Sequence, residues 1–182
     1  MELLDKKIEE ARKTLFERFE WQCSQSPKSA KFMYENNTMY GYIPKEGIES
    51  ALKHGTTVIG QLGLAETLNI LLGKDQTTED GMKTAIEIEK LFNKRCKEYK
   101  QKYGELDNIS TNKYFTNSIH VPVWDKIDPF EKADIEAKLA NFSNAGCIFY
   151  AEFDASAQNN LEALEKFVIY AIEKCDMPYI RN

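Results

Sequence analysis

Residues 47–73, GIESALKHGTTVIGQLGLAETLNILLG, constrain the fold more than any other part of the chain. A short helical pattern closes near Gly55, the β-branched run TTVIG follows, and a second helical pattern runs from near Leu64 to Gly73. Glycines close helices because they enter the left-handed region without a Cβ clash, and β-branched residues suit a pleated strand. Helix, strand, glycine-bearing turn and helix within 27 residues have the dimensions of one α/β unit.

The rest of the chain repeats that alternation. Leu3, Leu4, Ile8, Ala11, Leu15, Phe16 and Phe19 recur at three- to four-residue intervals, which predicts an amphipathic helix ending near Cys23. Residues 24–47 are rich in Ser, Asn, Pro and Gly with scattered aromatics, and read as an ordered, irregular connection. Residues 75–104, with Asp and Thr at the start, an apolar stripe through Met82, Ala85, Ile86, Ile88, Leu91 and Phe92, and lysines near the end, predict a long helix complementing its own dipole. A strand is then expected over 115–123, a Pro-initiated helix over 129–139, a strand in GCIFYAEF, a helix over 159–174 and a last short strand in MPYI. Strands alternating with helices predict an α/β fold with parallel strands. No phrase recurs at a fixed period, so the chain is expected to form a single unit over 1–182.

Composition narrows the function. An apolar share of 42% with 29% charged residues in 182 residues is enough for a packed core. The net charge of −5 is dispersed over mixed faces, which disfavours DNA and anionic membranes as partners. The opening MELLDKKIEEARKTLFERF lacks the uninterrupted apolar stretch of a signal peptide or membrane span, so a cytoplasmic protein is expected. Cys23, Cys96, Cys147 and Cys175 form no CxxC pair, which argues against a zinc knuckle or a dithiol redox motif and for free, mostly buried thiols.

Several residues carry candidate chemistry. Gly60 and Gly63 stand between a predicted strand and helix, where amides could meet a phosphate; the spacing lacks the third glycine of a dinucleotide fingerprint and the lysine of a Walker loop, so a plain tight turn fits equally. On the expected strand 115–123, Ile119 and Val121 share one face, and Ser118, His120 and Pro122 the other. With Asn117 alongside, that polar row is either a buried hydrogen-bonded network or a pocket wall. Ser118, His120 and Asp125 lie too close along one strand to work as a hydrolytic triad, and neither histidine has a ligand at metal-binding spacing. Glu87 and Glu89, two apart on a helix, read as solvated charges, and Cys147, beginning a strand without a nearby base, as an inert thiol.

Longer phrases add a resemblance. QCSQSPKSAKFMYENNTM, IESALKHGTTVIGQLGLAETLNILLG, YFTNSIHVPVW, PFEKADIEAKLANFSNAGCIFYAEFD and NNLEALEKFVIYA resemble, in order, consecutive pieces of the catalytic subunit of the anaerobic, glycyl radical ribonucleoside-triphosphate reductases. The resemblance implies part of a helix-rich, ten-stranded α/β barrel, incomplete here, inside which a cysteine thiyl radical would attack the ribose. It implies that Asn117, Ser118, His120, Gly60, Gly63 and Cys147 line a substrate pocket. It also implies what is missing. No residue matches the radical glycine, the thiyl cysteine or a zinc ligand, and KYG runs straight into ELDNIS where the family carries a further strand and a Thr-Pro-Ala-Glu phrase.

The expectation is therefore a fragment or shortened homologue, inactive alone, with no catalytic residue, metal or cofactor of its own. The full-length family uses a glycyl radical made by an S-adenosylmethionine iron-sulfur activase, and a structural zinc. Expected partners are ribonucleoside triphosphates, a second copy, or an intact reductase; the alternative is a nucleotide-binding or reductase-associating protein without turnover.

Overall fold

The computed structural model describes residues 1–36, 38–55, 57–103, 119–122, 125–142, 148–151, 153, 155–177 and 179–181. The chain divides into two compact units, one built on Met1–Ile59 and the end of a long helix from Lys94, the other on Gly60–Asn93 and the later part of the chain.

The first unit opens with α1 (Glu2–Cys23), which buries Ile8. Ser26 caps a 3-10 turn over Pro27–Ala30, followed by α2 (Lys31–Glu35) and α3 (Glu49–Leu52). Tyr34, Ile48 and Ala51 form one core cluster of this unit, with Met39, Tyr42 and Leu52 packed against them. The aromatics of the irregular connection thus do the packing that their composition suggested. Gly41 has φ +75, and a Cβ there would lie 2.3 Å from Cδ2 of His54, so the close approach of this loop to α3 requires glycine. Along α1, the Arg12 guanidinium lies 4.9 Å from the Tyr103 ring centre and pairs with Glu9 at 2.7 Å, which lowers the Glu9 carboxyl to about 2.

The second unit contains α4 (Leu64–Leu72), the first part of α5 (Glu79–Tyr103), α6 (Pro129–Ala140), β1 (Ile148–Tyr150), α7 (Leu161–Glu173) and β2 (Tyr179–Arg181). Local chemistry sets the helix ends. Gly63 (φ +80) and Gly73 (φ +67) bracket α4 in left-handed conformation. Asp128 accepts from Phe130 N at 2.9 Å ahead of Pro129, and Asn160 caps α7 through Ala163 N at 3.1 Å. β1 and β2 pair in parallel with Phe149 opposite Ile180, and α7 is the crossover between them. Phe167 of α7 meets Phe130, Phe149 and Phe153 at centroid distances of 5.2, 6.0 and 5.1 Å, joining helix, strand and α6 in one aromatic core.

The pairing of β1 with β2 is parallel, and both strands are shorter than their apolar runs. Two predicted strands differ more. Residues 57–60 of the β-branched run make no ladder, and Ile59 is simply buried. Of the expected strand 115–123, residues 115–118 and 123 lie outside the described residues, and 119–122 form no ladder either. β-branched residues suit any half-buried extended segment, whereas a strand also needs a neighbouring backbone.

Apolar side chains also remain outside. Ile70, Leu71 and Leu72 on α4, and Val168, Ile169 and Ile172 on α7, are all at least 41% exposed.

Candidate functional site

The site is assembled in the second unit, starting from the turn between α4 and α5. After the left-handed Gly73, Asp75 accepts from Thr77 N at 2.9 Å, and Thr78 Oγ1 accepts from Gly81 N at 3.2 Å, capping α5. The turn wraps so tightly over the helix that a Cβ on Gly81 would lie 1.8 Å from the Asp75 carbonyl oxygen. That packing turns Gln76 inward, 1% exposed, and its Nε2 donates to the carbonyls of Ile119 at 3.2 Å and His120 at 2.6 Å.

The opposite clamp comes from α6. Its buried stripe of Lys132, Ala133, Ile135, Glu136, Leu139 and Ala140 includes two charged residues one turn apart. Glu136, 1% exposed, accepts from His120 Nδ1 at 2.7 Å and from Val121 N at 3.0 Å, and Lys132 Nζ lies 4.0 Å away. The Tyr150 ring stands edge-on to His120 at 5.3 Å.

This geometry explains why residues 119–122 are buried without belonging to a sheet. Buried backbone groups need partners, and here the side chains of Gln76 and Glu136 supply them in place of a ladder. A carboxylate only accepts, so in the neutral imidazole the proton sits on Nδ1, facing Glu136, and Nε2 is an acceptor. That Nε2 atom and Gln76 Oε1 are both buried and have no hydrogen-bond partner among the described residues. The site is therefore a histidine ring oriented by a buried acid, with two buried side-chain atoms that have no partner among the described residues.

Two further acidic features belong to the same unit. Glu89 is fully buried and accepts from Gln61 Nε2, which corrects its reading as a solvated charge. Four residues after Ala85 and three before Phe92, it lies on the buried face of α5, while Glu87 is exposed. Asp125 has its carboxyl raised above the usual aspartate range, first by burial and then by the neighbouring charge of Asp75.

Of the residues predicted for a pocket, His120 is central to this network. Gly60 is exposed, and Gly63 serves the backbone at the start of α4, with Glu66 Oε2 3.5 Å from where its Cβ would be. Asn117, Ser118 and Cys147 lie outside the described residues. Gln76, Lys132 and Glu136 were not singled out from sequence, although the phase of α6 places Glu136 on its apolar stripe, one after Ile135 and three before Leu139. Among the described residues no group of His, Cys, Asp or Glu could hold a metal ion, and no helix is long and apolar enough to cross a membrane. Cys96 and Cys175 are buried, and the Cys175 thiol is pushed up to about 11, chiefly by burial and then by Asp134. A groove of about 550 Å³ in the first unit is lined by Asp5, Glu9, Lys13, Arg95, Tyr99 and Tyr103 among others, and its Asp5 and Arg95 are already paired with each other.

An α/β unit with a buried acid-histidine pair is a framework shared by many enzymes. The particular relationship comes from sequence, which matches the anaerobic ribonucleoside-triphosphate reductase family over residues 1–110 and 102–182, and the chain belongs to that family. It is 26% identical over 208 residues to the anaerobic ribonucleoside-triphosphate reductase of Salmonella typhimurium, covering 97% of this chain and 29% of that protein. The same protein of Escherichia coli is also 26% identical over 208 residues, and that of phage T4 is 31% identical over 153 residues, covering 73% of this chain and 25% of the phage protein. The chain thus spans about 29% of the length of the bacterial relatives. The 208-residue alignments exceed the 182 residues of this chain, so the relatives carry extra positions inside the aligned span. The two family matches meet at 102–110, where KYG runs into ELDNIS.

Proposed function

We propose that this chain is a fragment or a shortened homologue of the reductase, whose second unit supplies part of the substrate-facing wall of an α/β barrel. The observation that carries the reading is the His120–Glu136 pair at 2.7 Å, buried beside Lys132, with His120 in the phrase TNSIHVP and all three residues inside the family match over 102–182. A buried polar network that leaves acceptors open is costly unless something completes it, and a substrate-lined cavity is the natural occasion for one.

In this reading the ligands are ribonucleoside triphosphates. The chemistry of the whole family, radical reduction of the ribose, is not performed by this chain alone, because none of its residues matches the radical glycine, the thiyl cysteine or a zinc ligand. The working protein is cytoplasmic, and the glycyl radical, its iron-sulfur activase and the zinc site belong to full-length reductases.

Calorimetric titration of the purified chain with ribonucleoside triphosphates tests the binding half of this reading, with saturable heat expected and no heat or thermal shift overturning it. A turnover assay with activase, reductant and ribonucleoside triphosphate is expected to give no deoxyribonucleotide; product formation would overturn the catalytic half.

The exposed apolar faces of α4 and α7 favour a second feature, association with another copy or with an intact reductase. Co-purification with a full-length reductase, or a concentration-dependent oligomer, is expected; a monodisperse monomer without a partner would count against it.

A further inference from the structure

The two open acceptors specify the ligand more narrowly than the family relationship does. His120 Nε2 and Gln76 Oε1 belong to side chains whose other polar atoms are committed. Nδ1 donates to Glu136, and the Gln76 amide nitrogen is shared between two backbone carbonyls. Reversing the Gln76 amide would set its carbonyl oxygen against those carbonyls, so the Oε1 orientation is fixed by the backbone it clamps. The charge at this point is balanced as well, since Lys132 already faces Glu136 with a side chain only 7% exposed.

We infer that His120 Nε2 and Gln76 Oε1 form a hydrogen-bond-accepting subsite that takes the neutral hydroxyl donors of a ligand, the sugar hydroxyls of a ribonucleoside, and not its phosphates. The inference rests on the proposed nucleotide-binding reading and deepens it. Both atoms present lone pairs, so they attract O–H donors and repel phosphate oxygens, and the Lys132 ammonium faces Glu136. Glu136 is a positioning residue here, acting through His120 by setting which ring nitrogen is the acceptor.

The test uses the full chain labelled with 15N-histidine, which has two histidines; the His54→Gln variant assigns the ring signals, and exposed His54 in the first unit is an internal control. The unliganded protein is expected to show His120 protonated on Nδ1 and bare on Nε2. Cytidine and CTP are expected to shift the Nε2 signal, 2′,3′-dideoxycytidine to bind at least about tenfold more weakly, because buried acceptors are left unpaired, and inorganic triphosphate to leave Nε2 unmoved. Glu136→Gln is expected to move the ring proton onto Nε2, a tautomer change that a purely structural role would not produce. His120→Phe is expected to weaken cytidine binding about tenfold or more, with circular dichroism reporting whether the fold is retained.

A proton on Nε2 in the unliganded protein, or an Nε2 shift with inorganic triphosphate and none with cytidine, overturns the subsite. Calorimetric binding of CTP with Nε2 unmoved, including the case of an ordered water occupying the acceptors, also overturns it while leaving nucleotide binding intact. Absence of any binding by cytidine and CTP overturns both.

Discussion

Replacing Glu136 with alanine is the sharpest perturbation available. The change removes the acceptor of the Val121 amide, which is 1% exposed, and a buried donor left unsatisfied costs about 1–3 kcal/mol. It also strands Lys132, and breaking a buried ion pair from one side typically costs about 3–5 kcal/mol. The 4.0 Å separation and the Phe149 ring 5.8 Å from Nζ argue for the low end of that range. Because both losses fall in one network they do not simply add, and about 4 kcal/mol is expected. That is a large part of the roughly 5–15 kcal/mol that holds an ordinary domain together. Glu136→Gln retains an oxygen for Val121 and should cost about half as much. Combining Lys132→Met with Glu136→Gln should cost clearly less than the two separate changes together, since it removes both members of the pair. Urea denaturation followed by far-ultraviolet circular dichroism measures all three. A Glu136→Ala variant within about 1 kcal/mol of the parent, or strict additivity in the double variant, would refute the clamp as an energetic unit.

Other outcomes follow from the same geometry. Gly81→Ala forces a Cβ into the Asp75 carbonyl, so the turn that aims Gln76 must open, at a cost of about 1–3 kcal/mol or more in the same denaturation assay. The raised Asp125 carboxyl means that folding favours its protonated form. Its stabilising contribution is therefore complete below the unfolded aspartate value of about 4 and is lost as pH rises through the higher folded value. Asp125→Asn should remove this one contribution to the pH dependence of the melting temperature in that window, and an unchanged pH profile would show that the Asp75–Asp125 contact does not operate. Replacing Ile70 and Leu71, 84% and 64% exposed, with lysine should raise the monomer fraction by light scattering without lowering the melting temperature; unchanged association would place the contact elsewhere.

Most helices of this chain are legible from short-range signals. Asp128 with Pro129 starts α6, Gly63 and Gly73 delimit α4, and the apolar stripe of α5 runs through Ala85, Ile88 and Phe92 as its spacing predicts. The parallel character of the strands follows from their alternation with helices, and the ordered phrases ending in NNLEALEKFVIYA carry the family relationship that the comparisons bear out. These features are local because capping, periodicity and turn chemistry act over about four residues.

What depends on contacts between distant residues could be decided only by the tertiary structure. Gln76 meets the His120 carbonyl 44 residues away, and Glu136 meets His120 across 16; nothing in the local pattern around either partner announces those bonds. Residues 119–122 look like a strand because extended, β-branched sequence is a necessary condition for one. Whether their backbone groups are met by another strand or by two side chains depends on which elements pack alongside. Glu89 shows the same division: its helical phase is written in the sequence, but a buried carboxylate is tolerable only where a partner such as Gln61 arrives from another turn. His120 was therefore identifiable from sequence as an unusual residue, and folding determined which of its ring nitrogens is held and which is left open.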